Sequence, residues 1–146
     1  MAHEQINELK RIFGTAPFIS DLGIEPVSVA DGECVTVLNL QPRHLQQDGF
    51  VHAGVQATMA DHTAGTAAAT LVQAGHIVLT TEFKIHLLRP ARGEKLECIA
   101  RVLKPGRLLT IVESEVYCES SQKRTLVSKA IATIANVPKD PLGSGE

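Results

Sequence analysis

Tryptophan is absent from this chain, tyrosine occurs once and phenylalanine four times. Positive charge is not in excess either, since 14 Lys and Arg face 16 Asp and Glu for a formal net charge of −2. A nucleic-acid binder needs a basic field and usually aromatic stacking surfaces, so both scarcities argue against that class. No apolar run approaches the roughly 20 residues of a membrane span, so no membrane partner is expected. The opening MAHEQINELKRIF has neither the apolar stretch nor the small-residue cleavage site of a secretory signal. Cys34, Cys98 and Cys118 are odd in number, widely spaced and free of any CxxC pair. They read as reduced thiols of a cytoplasmic protein. Gly-rich phosphate loops, Gly-x-Ser-x-Gly and a Cys–His nucleophile pattern are all missing.

What is present suits one domain. A chain of 146 residues, 44% apolar and 21% charged, is long enough for one sizeable core. Ile6, Leu9 and Phe13 fall at helical intervals, which predicts a short amphipathic helix. TAPFISDLG, with its Pro and Gly, reads as a connector. IEPVSVA and ECVTVLNL are β-branched runs joined at Asp31-Gly32, a hairpin signal. QPRHLQQDGFV reads as a loop. The stretch after it runs some twenty residues without Pro to QAGH, where Gly75 can end a helix. IVLTTEFKIHLL, EKLECIARVL, RLLTIVESEVYCE and TLVSKAIATIANV then follow with tight breaks, which implies an antiparallel sheet. The expected layout is a single domain over 1–137 and a flexible C-terminal tail over 138–146.

The long helical stretch, HAGVQATMADHTAGTAAATL, is apolar or small almost throughout, yet Asp61 sits at its middle. At 3.6 residues per turn, Asp61 shares a face with Gly54, Ala57, Thr58, Ala64, Gly65 and Ala68. Val55, Met59, Thr63, Thr66 and Thr70 lie opposite. With so few charges the helix is expected to be covered on nearly all sides, as a central helix wrapped by an antiparallel sheet would be. A buried carboxylate must be paired or employed. The pairing reading satisfies Asp61 with His62, His52 or an Arg, and the functional reading makes it a general base or nucleophile.

DGFVHAG places Gly49, His52, Ala53 and Gly54 at the turn into the helix. The first N–H groups of a helix lack internal partners and carry the positive end of its dipole. Small residues there admit a carbonyl oxygen, the outline of an oxyanion hole. Ala53 and Asp61 are eight residues apart, roughly 12 Å along the axis, whereas groups acting on one carbonyl converge within about 3 Å of it. One copy is therefore not expected to supply both; two antiparallel copies would supply both twice, which implies a homodimer site.

Gln46, Gly49, His52, Gly54 and Asp61, followed by TTEFKIHLLRPARGEKL and VLKPGRLLTIVESEV, resemble the hotdog-fold acyl-CoA thioesterases of the phenylacetic-acid-degradation, or PaaI-type, branch within the 4-hydroxybenzoyl-CoA thioesterase superfamily. The resemblance covers about 24–137. It implies an α+β hotdog fold, a long central helix wrapped by a five- to six-stranded antiparallel sheet, paired into dimers and commonly tetramers. It implies hydrolysis of a small, medium-chain or aromatic acyl-CoA with no separate cofactor, coenzyme A being part of the substrate. Asp61 would be the catalytic carboxylate, the Ala53 N–H the oxyanion donor, Gln46 the amide that places thioester or water, and His52 the residue that orients the turn. Two departures stand out. His52-Ala53-Gly54 replaces the family's His-Gly-Gly, and Gly65 stands where some relatives carry an assisting hydroxyl, which Thr80 or Thr81 would then have to supply.

Arg89, Arg92, Lys104 and Arg107 fall near strand ends and have two readings, contact with the phosphates of coenzyme A or solvated turn residues. His44, His76 and His86 lack metal-ligand spacing, and His52 and Asp61 point to opposite sides of the wheel, so no metal is expected. Two rival functions remain in view: a hydratase or dehydratase using His52 and Asp61 as acid and base, and a non-catalytic acyl-CoA binder.

Overall fold

Side chains that alternate between a buried and a wetter face run along four of the chain's six strands. The computed structural model describes residues 3–121 and 123–140. The side chain of Ile6 and residues 141–146 of the expected tail lie outside what it describes. The elements in order are α1 (His3–Thr15), α2 (Pro17–Leu22), β1 (Glu25–Ala30), β2 (Glu33–Asn39), a 3₁₀ turn at Pro42–His44, α3 (Ala53–Ala69), β3 (His76–Leu87), β4 (Lys95–Lys104), β5 (Leu109–Ser120) and β6 (Lys123–Pro138).

The six strands form one antiparallel sheet in the order β1-β2-β4-β5-β6-β3. The hairpin expected at Asp31-Gly32 joins β1 to β2, with Gly32 at φ +73. Cys34, Thr36 and Leu38 of β2, Leu96, Cys98 and Ala100 of β4, and Val112, Ser114 and Val116 of β5 all point inward. Outward neighbours pair by charge, Arg101 with Glu33 and Lys129 with Glu113. Exposed pairs of this kind add little stability each; their use is to keep that face wet. The three cysteines are buried and unpaired, and burial pushes the Cys34 and Cys98 thiols up to about 12.

α3 lies across the inner face of the sheet against β2, β3, β4, β5 and β6. The face predicted to lie opposite Asp61, Val55, Met59, Thr63, Thr66 and Thr70, is the buried one. It is tied down by polar bonds as well as packing. Thr63 Oγ1 donates to Met59 O at 2.6 Å and meets Thr36 Oγ1 at 2.8 Å, and Ser114 Oγ of β5 donates to Ala60 O at 2.8 Å.

Three local expectations need correction. TAPFISDLG is not a plain connector, because Pro17–Leu22 form α2, with Pro at its start and Gly23 ending it at φ +92. Gly75 does not end α3. The helix stops at Ala69 with Thr70 capping it, and Gly75 serves the turn into β3 at φ +79. Nor is α3 covered on nearly all sides: Ala57, Thr58, Asp61, His62, Gly65 and Ala69 form a half-buried stripe and Gly54 is exposed. Ala64 and Ala68, placed on the Asp61 face by the wheel, are buried, because Leu9 of α1 and Val29 of β1 pack over that half of the helix. No helix among the described residues is long and apolar enough to cross a membrane.

Candidate active site

The loop before α3 is fastened first. His44, fully buried, accepts from the Gln41 N–H on Nδ1 at 3.0 Å and lies 2.7 Å from Leu22 O on Nε2. Since Nδ1 accepts, Nε2 carries the proton and donates to Leu22 O. His44 O in turn accepts from the His52 N–H at 2.9 Å. A lone His in a polar loop gives no sequence signal for this anchoring role, and the sequence reading did not find it.

Gln46 is held by its own loop. Its Oε1 accepts from the Asp48 N–H and, at 3.3 Å, from the Phe50 N–H. Two backbone donors identify that atom as the oxygen, which leaves the NH₂ group as the end free to meet a ligand. Gly49 makes this turn at φ +87 with Arg92 beside it.

His52 caps α3, its Nδ1 accepting from the Gly54 N–H at 2.8 Å. A Cβ on Gly54 would lie 3.0 Å from that nitrogen, so a side chain at residue 54 would press on the ring where it folds over the helix start. Among the described residues the Ala53 N–H donates to nothing, and Ala53 is exposed. The departure from His-Gly-Gly is absorbed without strain, because Ala53 is an ordinary helical residue and no positive φ is required there.

Asp61 stands one face over and two turns on. Neither His nor Arg is its hydrogen-bonding partner. Thr80 of β3 donates from Oγ1 to Asp61 Oδ1 at 2.7 Å, whereas Thr81 spends its hydroxyl on Thr133 O. The β-bulge between Thr80 and Glu82 separates the two threonines in this way. His62 packs edge-on against Phe13 with ring centroids 4.3 Å apart. Burial lowers its proton affinity below the ordinary histidine value, the Asp61 charge opposing this in part.

Asp61 and His62 line two adjoining cavities. One, of about 410 Å³, is walled by Leu9, Ile12 and Phe13 of α1, Gly65 of α3 and Val78 to Thr80 of β3. The other, of about 530 Å³, is bordered by Phe18, Gly54, Thr58 and Phe83. Gln46 and Ala53 open instead into a third cleft of about 400 Å³, with Phe50, Gln56, Leu87 and Arg89. Within one chain, then, the structure brings Gln46 to Ala53 but not to Asp61.

The four basic residues divide likewise. Arg89 lines the Gln46 cleft, its Nη1 donating to Leu126 O at 2.9 Å. Arg92 lies 5.7 Å from the centroid of the Phe50 ring. Lys104 ends β4 and Arg107 follows it, at the far end of a ten-residue strand roughly 30 Å long. No group of three or more His, Cys, Asp or Glu side chains gathers in a metal-binding arrangement among the described residues.

The family model for the thioesterase superfamily matches residues 48–125, more than half of the chain. A solved thioesterase family protein from Silicibacter pomeroyi is 30% identical, with a TM-score of 0.88 over 90% of this chain and 97% of that one. The 1,4-dihydroxy-2-naphthoyl-CoA hydrolase of Listeria monocytogenes is 27% identical over 69% of this chain and 82% of its own length. The Escherichia coli PaaI protein from the phenylacetic acid degradation operon shares the fold at a TM-score of 0.81, covering 92% of this chain and 94% of that one at 19% identity. The wrapped-helix architecture is thus the hotdog fold.

Proposed function

The chain belongs to the thioesterase superfamily, and on that premise we propose that it is an acyl-CoA thioesterase of the PaaI-type branch. It hydrolyses a small, medium-chain or aromatic acyl-CoA to free acid and coenzyme A. The observation that carries this reading is the Asp61 carboxylate, held by Thr80 at 2.7 Å on the half-buried stripe of α3, where it is the one acidic group among mostly small residues.

The two halves of the chemistry lie in different clefts of one chain, so the working site takes one half from each of two copies. β3 suits that pairing. It is an edge strand of 12 residues with exposed Ile77, Leu79, Phe83 and Leu87, a template for adding a second copy's strand. Across the interface, the Ala53 N–H and the Gln46 NH₂ group of one copy donate to the thioester oxygen, where negative charge grows in the transition state. Asp61 of the other copy supplies the nucleophile. Either it takes a proton from water as the water oxygen bonds to the carbonyl carbon, or it bonds there itself and water then cleaves the anhydride. In both routes the C–S bond breaks and the thiolate of coenzyme A is released. The apolar cavity between α1 and α3 receives the acyl group, and Arg89 and Arg92 meet the nucleotide phosphates. The three buried, unpaired thiols fit a reducing compartment, and this reading places the enzyme in the cytoplasm.

The test is thiol release from short, medium, long and aromatic acyl-CoAs by the wild type and Asp61→Ala, with folding of the variant checked by circular dichroism. Release by the wild type that collapses in the variant is expected. Tight acyl-CoA binding without release would favour a binder. Water addition to an enoyl thioester without thiol release would favour a hydratase. Single turnover in ¹⁸O-water identifies one route: label entering the Asp61 side chain marks direct attack followed by water opening the anhydride at the Asp61 carbonyl. Label in the free acid is the outcome of water activation and of anhydride opening at the acyl carbon alike.

A further inference from the structure

Gln56 takes no part in the chemistry above, yet it occupies an unusual position. It lies one turn into α3, three residues after Ala53 and so on the same side of the helix. It is only 4% exposed, and its carboxamide oxygen is shut from solvent with no hydrogen-bond partner. Such an atom costs free energy with no return inside the chain, and a leucine or methionine would fill the space without that cost. The residue lines the same cleft as Ala53 and Gln46. The rest of that cleft is apolar: Phe50, Val51, Leu87, Leu88, Pro90 and Ala91, with Arg89 as its one charged group.

Away from Arg89, an apolar slot with one buried carboxamide does not match a phosphate, which calls for cations or several N–H donors. It matches a slender, uncharged chain of methylenes carrying a secondary amide. An amide offers one donor and one acceptor, and a primary carboxamide answers both, with a half-turn about its last torsion choosing which end is presented. We propose that Gln56 is a positioning residue that binds an amide of the pantetheine-type arm, the segment joining the thioester to its nucleotide, in the cleft between the start of α3 and Leu87–Ala91. This rests on the acyl-CoA reading for the identity of the ligand. It adds a group that grips the thiol carrier and draws the thioester toward the Ala53 N–H.

The experiment is a calorimetric titration of coenzyme A, and separately of adenosine 3′,5′-bisphosphate, which has the nucleotide but no arm. Wild type and Gln56→Met are compared. Coenzyme A is expected to bind the variant roughly three- to tenfold more weakly, the range one net hydrogen bond gives. The bisphosphate should bind both proteins equally, and the ligand-free variant should melt no lower than the wild type. Equal affinity for coenzyme A in the two proteins, equal loss for both ligands, or no binding of coenzyme A by the wild type would overturn the proposal. Should Gln56→Met not fold, the wild type still decides it: the Gln56 side-chain amide signal must shift in ¹⁵N NMR when coenzyme A is added, and an unmoved signal on the saturated protein overturns the proposal. Because these readouts are binding alone, a protein that binds coenzyme A through Gln56 but releases no thiol would refute the hydrolase reading and leave this one standing.

Discussion

Thr80 Oγ1 donates to Asp61 Oδ1 at 2.7 Å, joining the edge strand of the sheet to the middle of the long helix. The bond uses one carboxylate oxygen and leaves the other for chemistry. In the proposed mechanism Thr80 would supply the hydroxyl that Gly65 does not provide. A hydrogen bond to a charged group is worth about 1.5–3 kcal/mol. Thr80→Val keeps the shape and deletes the donor, so kcat for the best acyl-CoA should fall roughly ten- to hundredfold, and Thr80→Ser should restore most of it. Equal kcat in Thr80→Val and wild type would remove Thr80 from the mechanism.

His52 acts on the helix rather than on Asp61. Its Nδ1 accepts from the Gly54 N–H at 2.8 Å, the bond that caps α3, and losing a side-chain cap costs about 1 kcal/mol. His52→Ala should lower the unfolding free energy by about that amount, read as a lower urea midpoint at unchanged slope, and His52→Asn, with a short side chain that also caps, should recover it. Stability unchanged in His52→Ala would show that the ring is not what holds this turn.

Much of this arrangement is legible in the residues, and what escaped has physical causes. Apolar, β-branched runs bounded by turn residues locate β1 to β6, and the small-residue helix with one carboxylate locates Asp61. The six residues of α2 are too few for any period, so only Pro17 at its start and Gly23 at its end could have marked it. The wheel placed Ala64 and Ala68 beside Asp61, but it carries no information about α1 and β1 folding over that half of the helix. Thr80 could be named as a source of a hydroxyl only alongside Thr81, because the bulge that points one inward and the other away is a matter of sheet register. Gln56 was invisible as a special residue, since an unpartnered amide is a property of the packed cleft and not of the helix sequence.

Burial beside Phe13 holds the His62 imidazole below its ordinary value of 6.5. The unfolded chain then takes up a proton that the folded one resists. Stability is therefore fully present above about pH 6.5 and is lost as pH falls below it toward the folded value. Urea unfolding at about pH 7 and pH 5 should show a larger drop for wild type than for His62→Gln, whose side chain does not titrate. Parallel drops in the two proteins would assign the acid sensitivity to other groups.

Gly65 has open space where its side chain would be, with nothing within 4 Å of an added Cβ, and that space is the cavity between α1 and α3. Glycine inside a helix is about 0.5–1 kcal/mol worse than alanine, so its presence here trades stability for room beside Asp61. Gly65→Ala should raise the unfolding free energy by that amount. Gly65→Leu projects into the cavity and should shift the acyl-length preference toward shorter chains, lowering kcat/KM for the longest accepted thioester far more than for the shortest. The contrast between chain lengths is what decides the matter, because a general disturbance of α3 would depress every substrate alike. A Gly65→Leu variant with the wild-type length profile would mean that the acyl group lies elsewhere, and the neighbouring cavity bordered by Phe18 and Phe83 would then be the one to fill.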